Sequence, residues 1–149
     1  MLIGIVSDTH SNEERFRKVL DILSDCDMII HCGDWTNSAI VEMCRGLDVH
    51  GVHGNCDFNL KGPVKFHEPY IDLEIDGIRI GACHGHDSRL PELLEAGFDV
   101  VCSGHTHHSK IEMVDGTLHI NPGSPAKPRN GASCAVYDTR KRKGKIILL

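Results

Sequence analysis

The stretch "LIGIVSDTHSNEERFRKVLDILSD" (residues 2–25) sets the fold class. It begins with a short apolar run rich in β-branched residues, "LIGIVS", continuous enough to be a strand covered on both faces. The run stops at the polar "DTHSN", and Phe16, Val19, Leu20 and Leu23 then recur at helical spacing. Ser11 followed by Glu14 predicts a capping box at the helix start. Buried strand, polar turn and amphipathic helix together form the repeating unit of a layered α/β domain.

The unit recurs down the chain. "DMIIHC" (27–32) reads as a strand, followed by the loop "GDWTN" and a helix around 38–46; the short run "DVHGV" ends at "HGNCD" (53–57). From residue 70 the pattern changes. "YIDLEIDGIRIGAC" is two strands about Asp76-Gly77, and "KIEMVDGTLHIN" is two more about Asp115-Gly116, dipeptides favoured in two-residue hairpins. Between them lie a helix at about 89–97 and the strand "DVVCSG"; after the Pro-rich loop "NPGSPAKPR" come "SCAVYD" and "GKIILL". The expectation is one domain over residues 1–149, of α/β class, with mixed sheets flanked by helices. The segment 56–69 has little pattern and is expected to border a cleft.

Composition narrows the function classes. A formal charge of −5 argues against a stable nucleic-acid partner, and the basic run "RKRKGK" (140–145) reads as a solvated hairpin turn. No apolar run is long enough to span a membrane, and "MLIGIVSDTH" has no signal-peptide character. The seven cysteines form no CxxC pair and sit mostly in apolar runs, as reduced cysteines of a cytoplasmic protein do. A cysteine zinc site is not supported.

The residues just past each strand are more specific. The first strand leads to Asp8 and His10, the second to Asp34, the third to Asn55; "IRIGAC" leads to His84, and "DVVCSG" to His105 and His107. Ligands of open α/β sheets bind at the carboxyl ends of strands. Residues at i and i+2 of an extended chain point the same way, so Asp8 with His10, and His105 with His107, are expected to aim at one cavity. Glycines beside four of these positions (Gly33, Gly54, Gly85, Gly104) permit close backbone approach. Carboxylate, amide and imidazole donors without thiolate suit Mn, Fe, Zn, Co or Ni better than Ca or Cu(I), and seven donors suit two ions sharing Asp34.

The ordered set "DTH", "GD", "GN", "HGH" and "GHTH" resembles the calcineurin-like metallophosphoesterase superfamily, and in its shortness and its "NPGSPAKPR" loop the compact prokaryotic phosphodiesterase branch. The resemblance implies a four-layered α/β/β/α sandwich. It implies one divalent ion on Asp8, His10, Asp34 and His107 and a second on Asp34, Asn55, His84 and His105, manganese ahead of nickel, cobalt, iron or zinc. It further implies hydrolysis of small phosphodiesters by a hydroxide bridging the two ions, with Asp34, Asn55 and His84 central to catalysis. Small members are often dimers, so a homo-oligomer is compatible with the resemblance. Cys56 departs from the pattern: many members carry histidine there, thought to protonate the leaving group, and a thiol is the weaker acid. Good leaving groups are therefore expected to be favoured.

The remaining residues divide by neighbourhood. His53 and His86 adjoin ligands and are candidates for substrate contact, as is Arg129 in the Pro-rich loop. Asp57 either orients a ligand or caps its loop. His31, His50, His67 and His119 read as structural, and His108 as a bystander. Alternatives are a phosphatase or nucleotide hydrolase on the same site, or a scaffold like the retromer subunit with vestigial metal binding. Amidohydrolase and metallo-β-lactamase motifs are not completed.

Overall fold

The structure, a computed structural model, describes residues 1–149. Its elements are β1 (Leu2–Val6), α1 (Glu13–Ile22), β2 (Met28–His31), α2 (Ser38–Glu42), β3 (Val49–Gly51), β4 (Lys65–Phe66), β5 (Ile71–Ile75), β6 (Ile78–Ala82), α3 (Arg89–Leu94), β7 (Val100–Cys102), β8 (Lys110–Val114), β9 (Thr117–Asn121), β10 (Ser133–Asp138) and β11 (Lys143–Leu148). They build two mixed sheets, ordered β11-β10-β1-β2-β3-β4 and β5-β6-β7-β9-β8. Strands β1 to β4 are mutually parallel, as are β6, β7 and β9, while β10 pairs antiparallel with β1 and β11, β5 with β6, and β8 with β9.

Hydrophobic burial stacks these sheets. Ile3, Ile5 and Ile30 of the first sheet meet Ile71, Ile80, Val100 and Ile120 of the second in the central core. On the outer face of the first sheet, Phe16 and Val19 of α1 and Ile40 and Val41 of α2 pack with Trp35. On the outer face of the second, Leu93 of α3 packs on Val101 and Phe98. The order is α/β/β/α, the sandwich expected. Each fully buried large aliphatic or aromatic side chain here contributes about 2 kcal/mol.

Local details differ from the sequence reading. The cap of α1 is Asn12, whose side chain accepts from Arg15 N; Ser11 is instead turned left-handed, at φ 59°, and its hydroxyl meets that of Thr36. Helices α2 and α3 are shorter than their periodicity predicts, each running out into turns. β4, two residues long, lies inside the segment read as patternless, because so short a strand leaves no alternation to detect. Both Asp-Gly hairpins form as expected, with positive φ at both turn residues.

Candidate metal centre

The parallel strands of both sheets end at the same edge, and all seven residues singled out lie on the loops that come after β1, β2, β3, β6 and β7. The loops after β1 and β2 run side by side: Asp8 N donates to Gly33 O, His10 N to Asp34 O and Ser11 N to Trp35 O, at 2.9, 3.1 and 3.0 Å. In the second sheet the loops after β6 and β7 are joined in the same way, Gly104 N donating to His84 O at 2.9 Å.

These loops are not extended. Asp8, His10, Asp34, His105 and His107 all have φ between 41° and 69°. Asp8, His10, His105 and His107 reach the candidate donor groups from left-handed turns and not from the extended backbone that the i, i+2 spacing suggested. Asp and His visit this region more readily than most residues, and strain of this kind persists only where surroundings over-determine it.

The surroundings here are buried polar contacts. Asp8 is fully buried and Asp34 is 2% exposed. Asp8 Oδ2 accepts from Ser7 Oγ at 2.6 Å and from His105 N at 2.9 Å, while Asp34 Oδ1 accepts from Cys56 N at 2.9 Å. Each carboxylate thus spends one oxygen on the scaffold and turns the other, Asp8 Oδ1 or Asp34 Oδ2, into the site. Asp57 orients its neighbour, as one reading allowed: its carboxylate accepts from the backbone of Asp34, Thr36 and Gly54 at 2.7–2.8 Å. Gly54 and Gly104 make this closeness possible, since a Cβ on either would overlap Asp34 Oδ1 or Ser7 Oγ respectively.

Facing the free oxygens are three imidazoles. His107 Nε2 lies 3.2 Å and His10 Nε2 3.6 Å from Asp8 Oδ1; His84 Nε2 lies 3.3 Å and His10 Nε2 3.7 Å from Asp34 Oδ2. His84 Nδ1–H donates to Cys32 O at 2.8 Å, which turns Nε2 toward the site, a lone pair in the neutral ring and an N–H facing Asp34 Oδ2 when the ring is protonated. Two donor groups result, Asp8–His10–His107 and Asp34–His84–His105, with Cys56 close to His10 and Asp34 in a third.

The donor set fits divalent cations. Asp8 Oδ1 is a buried carboxylate oxygen without a hydrogen-bond partner, a costly state unless a cation faces it. Two imidazole pairs also bring ring nitrogens together, His10 with His107 at 3.2 Å and His84 with His105 at 3.3 Å. In neutral rings one nitrogen of each pair donates to the other, whereas a shared cation would take a lone pair from both.

Electrostatics agree. Burial, then the charge on His84, holds the His105 imidazole below its usual value, and burial likewise outweighs the two carboxylates at His10. At Asp34 burial is outweighed by bonds from His84 and Cys56, which hold the carboxyl well below the usual range. Burial opposes charge on His84 too, but Asp34 and Asp8 raise it. Burial and then Asp34 push the Cys56 thiol up, keeping it protonated at neutral pH.

Other expectations separate. Asn55 is exposed on the loop after β3, and its side-chain nitrogen lies 3.8 Å from Cys56 Sγ. His86 stands near the cluster, its ring 5.4 Å from that of His84. His53 instead stacks on Phe66 at 4.4 Å and bonds to Leu60 O. Arg129 is tied to the site by its backbone, its N donating to His107 O at 3.0 Å, and its side chain is exposed. His119 is structural as read, meeting Ser103 Oγ at 2.8 Å, and His50 pairs with His67 at 2.8 Å.

Sequence reading missed three contributors. His31 does more than pack: Gly33 N donates to its Nδ1, so in the neutral ring Nε2–H donates to Thr9 Oγ1, both at 3.1 Å. It thereby ties the turn carrying Asp8 and His10 to the one carrying Asp34. Ser124 Oγ donates to Asp8 O at 2.7 Å, and Asn121 Nδ2 to Gly104 O at 2.9 Å. The "NPGS" start of the Pro-rich loop was the available signal for these two.

The chain as a whole is similar to known proteins. Residues 1–142 match the calcineurin-like phosphoesterase superfamily domain. A probable metallophosphoesterase of Methanocaldococcus jannaschii is 42% identical over 141 residues, covering 87% of this chain and 70% of that protein. A phosphodiesterase of the same organism is 33% identical over 165 aligned positions, covering 100% of this chain and 99% of its own. The solved structure of an archaeal phosphodiesterase superposes with a TM-score of 0.89 at 30% identity, over the whole of both chains. Vps29 of Chaetomium thermophilum shares the fold alone, at 18% identity, TM-score 0.75, and 99% and 95% coverage. With its two inward carboxylates and clustered imidazoles at the edge where the parallel strands end, the chain belongs to the calcineurin-like phosphoesterase superfamily.

Proposed function

We propose that this phosphoesterase is a dinuclear, divalent-metal-dependent phosphodiesterase. One ion is assigned to Asp8, His10, Asp34 and His107, and the other to Asp34, Asn55, His84 and His105, with manganese the preferred metal. The observation that carries the reading is the pair of inward oxygens, Asp8 Oδ1 and Asp34 Oδ2, each within 3.2–3.7 Å of imidazole nitrogens. Two cations so held would supply charge neutralisation at the phosphoryl oxygens and activation of a water for in-line attack.

The chain's own residues do the rest. Asp34 is kept ionised and oriented by Cys56 N and Asp57, so it is preorganised as the shared ligand. His84 is held in one tautomer by Cys32 O. Cys56, a protonated thiol beside Asp34, is a weak donor to a departing alkoxide, which favours substrates whose leaving group needs no proton. Exposed His86, whose ring neighbours that of His84, and exposed Arg129 are the proposed contacts to substrate oxygens. The scaffold alternative draws on fold likeness alone, and the full set of candidate ligands in this chain argues for catalysis.

The test is a metal-by-substrate matrix. Metal-free protein is reloaded with Mn, Ni, Co, Zn or Mg and assayed on diesters, monoesters and nucleotides. Diester hydrolysis strongest with manganese is the expected result. Silence in every combination by a protein that remains folded would overturn the reading.

A further inference from the structure

Between the loop after β3, the end of β4 and the start of α3 lies a cavity of about 410 Å³, lined by His53, His67, Glu68, Pro69 and Arg89. That size is within the usual range for small-molecule sites. Both of its walls lead to the metal centre. On one, His53 precedes Gly54, whose N–H is held at 2.7 Å by the same Asp57 oxygen that holds Asp34 N. On the other, Arg89 donates to Asp87 Oδ2 at 3.0 Å, His86 Nε2 lies 3.6 Å from that oxygen, and the His86 ring neighbours His84.

The lining says what would fit. Apart from Pro69 every side chain carries a polar or charged group, so an acyl chain would find no aliphatic wall. The charges do not favour a second anion either. Arg89 is already paired with Asp87, Glu68 adds a negative charge, and burial followed by the nearby Lys65 favours a neutral His67. A mixture of donors and acceptors remains. It comprises the other N–H groups of Arg89 and the exposed Glu68 carboxylate, whose Oε1 lies 3.1 Å from the buried His53 Nδ1. Hydroxyls, each both donor and acceptor, satisfy such a wall.

We propose that this cavity receives a hydroxyl-rich ester arm of the substrate, a polyol or furanose attached to the phosphate under attack. The inference rests on the phosphodiesterase reading and narrows it to diesters of that class. Arg89 and Glu68 become the specificity-determining residues, reaching the arm and not the phosphorus.

The experiment fixes the leaving group and varies the arm. Manganese-loaded protein is assayed on p-nitrophenyl phosphodiesters whose second arm is glyceryl, methyl or phenyl. The glyceryl ester is expected to show kcat/KM about tenfold above the other two, and Arg89→Met and the exposed Glu68→Gln each to cut that preference to below about threefold. Equal kcat/KM for all three arms, or a preference untouched by both substitutions, overturns the proposal. Saturation-transfer NMR of metal-free protein with glyceryl methyl phosphate gives a readout independent of turnover. Transfer to the glyceryl protons, lost in Arg89→Met, is expected. If it occurs while no ester is hydrolysed with any metal, the phosphodiesterase reading fails and the polyol cavity stands. No transfer in the unsubstituted protein overturns the cavity whatever the activity.

Discussion

The two edges of the sandwich use the same backbone conformation for opposite ends. At one edge the chain reverses through Asp76-Gly77 and Asp115-Gly116, with φ of 53° and 75°, and of 48° and 86°. At the other, Asp8, His10, Asp34, His105 and His107 adopt the same left-handed region. The hairpin turns stand in open space, with nothing within 4 Å of a Cβ added to Gly77 or Gly116. At the metal edge, glycines touch the carboxylates themselves, and Asp57, His31, Ser124 and Asn121 bond the turns to each other. A left-handed residue is thus a simple reversal in one place and a locked aiming device in the other. The lock holds two carboxylates out of water, which is tolerable only when a cation balances them.

The largest effect tests that balance. Asp34→Asn removes the shared charge while keeping the shape, so hydrolysis is expected to fall by about a thousandfold or more, with loss of bound metal by elemental analysis. Retention of both would remove the distinction between the edges. Gly104→Ala comes next, since its methyl group collides with Ser7 and Asp8. A loss of about 3 kcal/mol in denaturant unfolding is expected, and an unchanged midpoint would show the edge to be loosely packed. Asp57→Ala leaves three backbone N–H groups without their carboxylate, for about 2 kcal/mol and weaker metal binding by titration calorimetry.

A pH measurement sharpens the comparison further. Burial drives the His31 imidazole well below its usual value, the charge on His84 adding to this. As pH falls below about 6.5 the unfolded chain takes up a proton at this residue that the folded chain refuses, so its contribution to stability falls with pH by up to about 1.4 kcal/mol per unit. His31→Gln is expected to flatten the stability profile of the metal-free protein between about pH 6.5 and 5; an unaltered slope would mean that His31 is protonated in the fold. The smallest effect belongs to the hairpin edge. Gly116→Ala introduces a Cβ at positive φ but meets no neighbour, for about 1 kcal/mol and unchanged metal binding.

Much of this architecture was legible in the sequence, for identifiable reasons. Runs such as "LIGIVS" and the Asp-Gly hairpins announce themselves because strand burial and two-residue turns are local properties. Reading only the residues just past each strand gathered the donors, because parallel strands must end on one edge. The turns that aim them were not legible: no residue type demands positive φ at Asp8 or His107, and extended geometry was inferred where the backbone curls. The same holds for contacts between residues far apart in the chain. Asp57 left two readings open, His31 looked like a packed strand residue, and Arg89 looked like part of a helix start, since nothing near them in sequence names their partners.

The central claim is that the buried carboxylates exist to hold two ions. Manganese-loaded crystals, with anomalous scattering at the manganese edge and elemental analysis of the same protein, test it most directly. Two peaks are expected, one beside Asp8, His10 and His107 and one beside Asn55, His84 and His105, with Asp34 between them and about two ions per chain. A single peak elsewhere, or no more than trace metal in folded protein, would contradict the account.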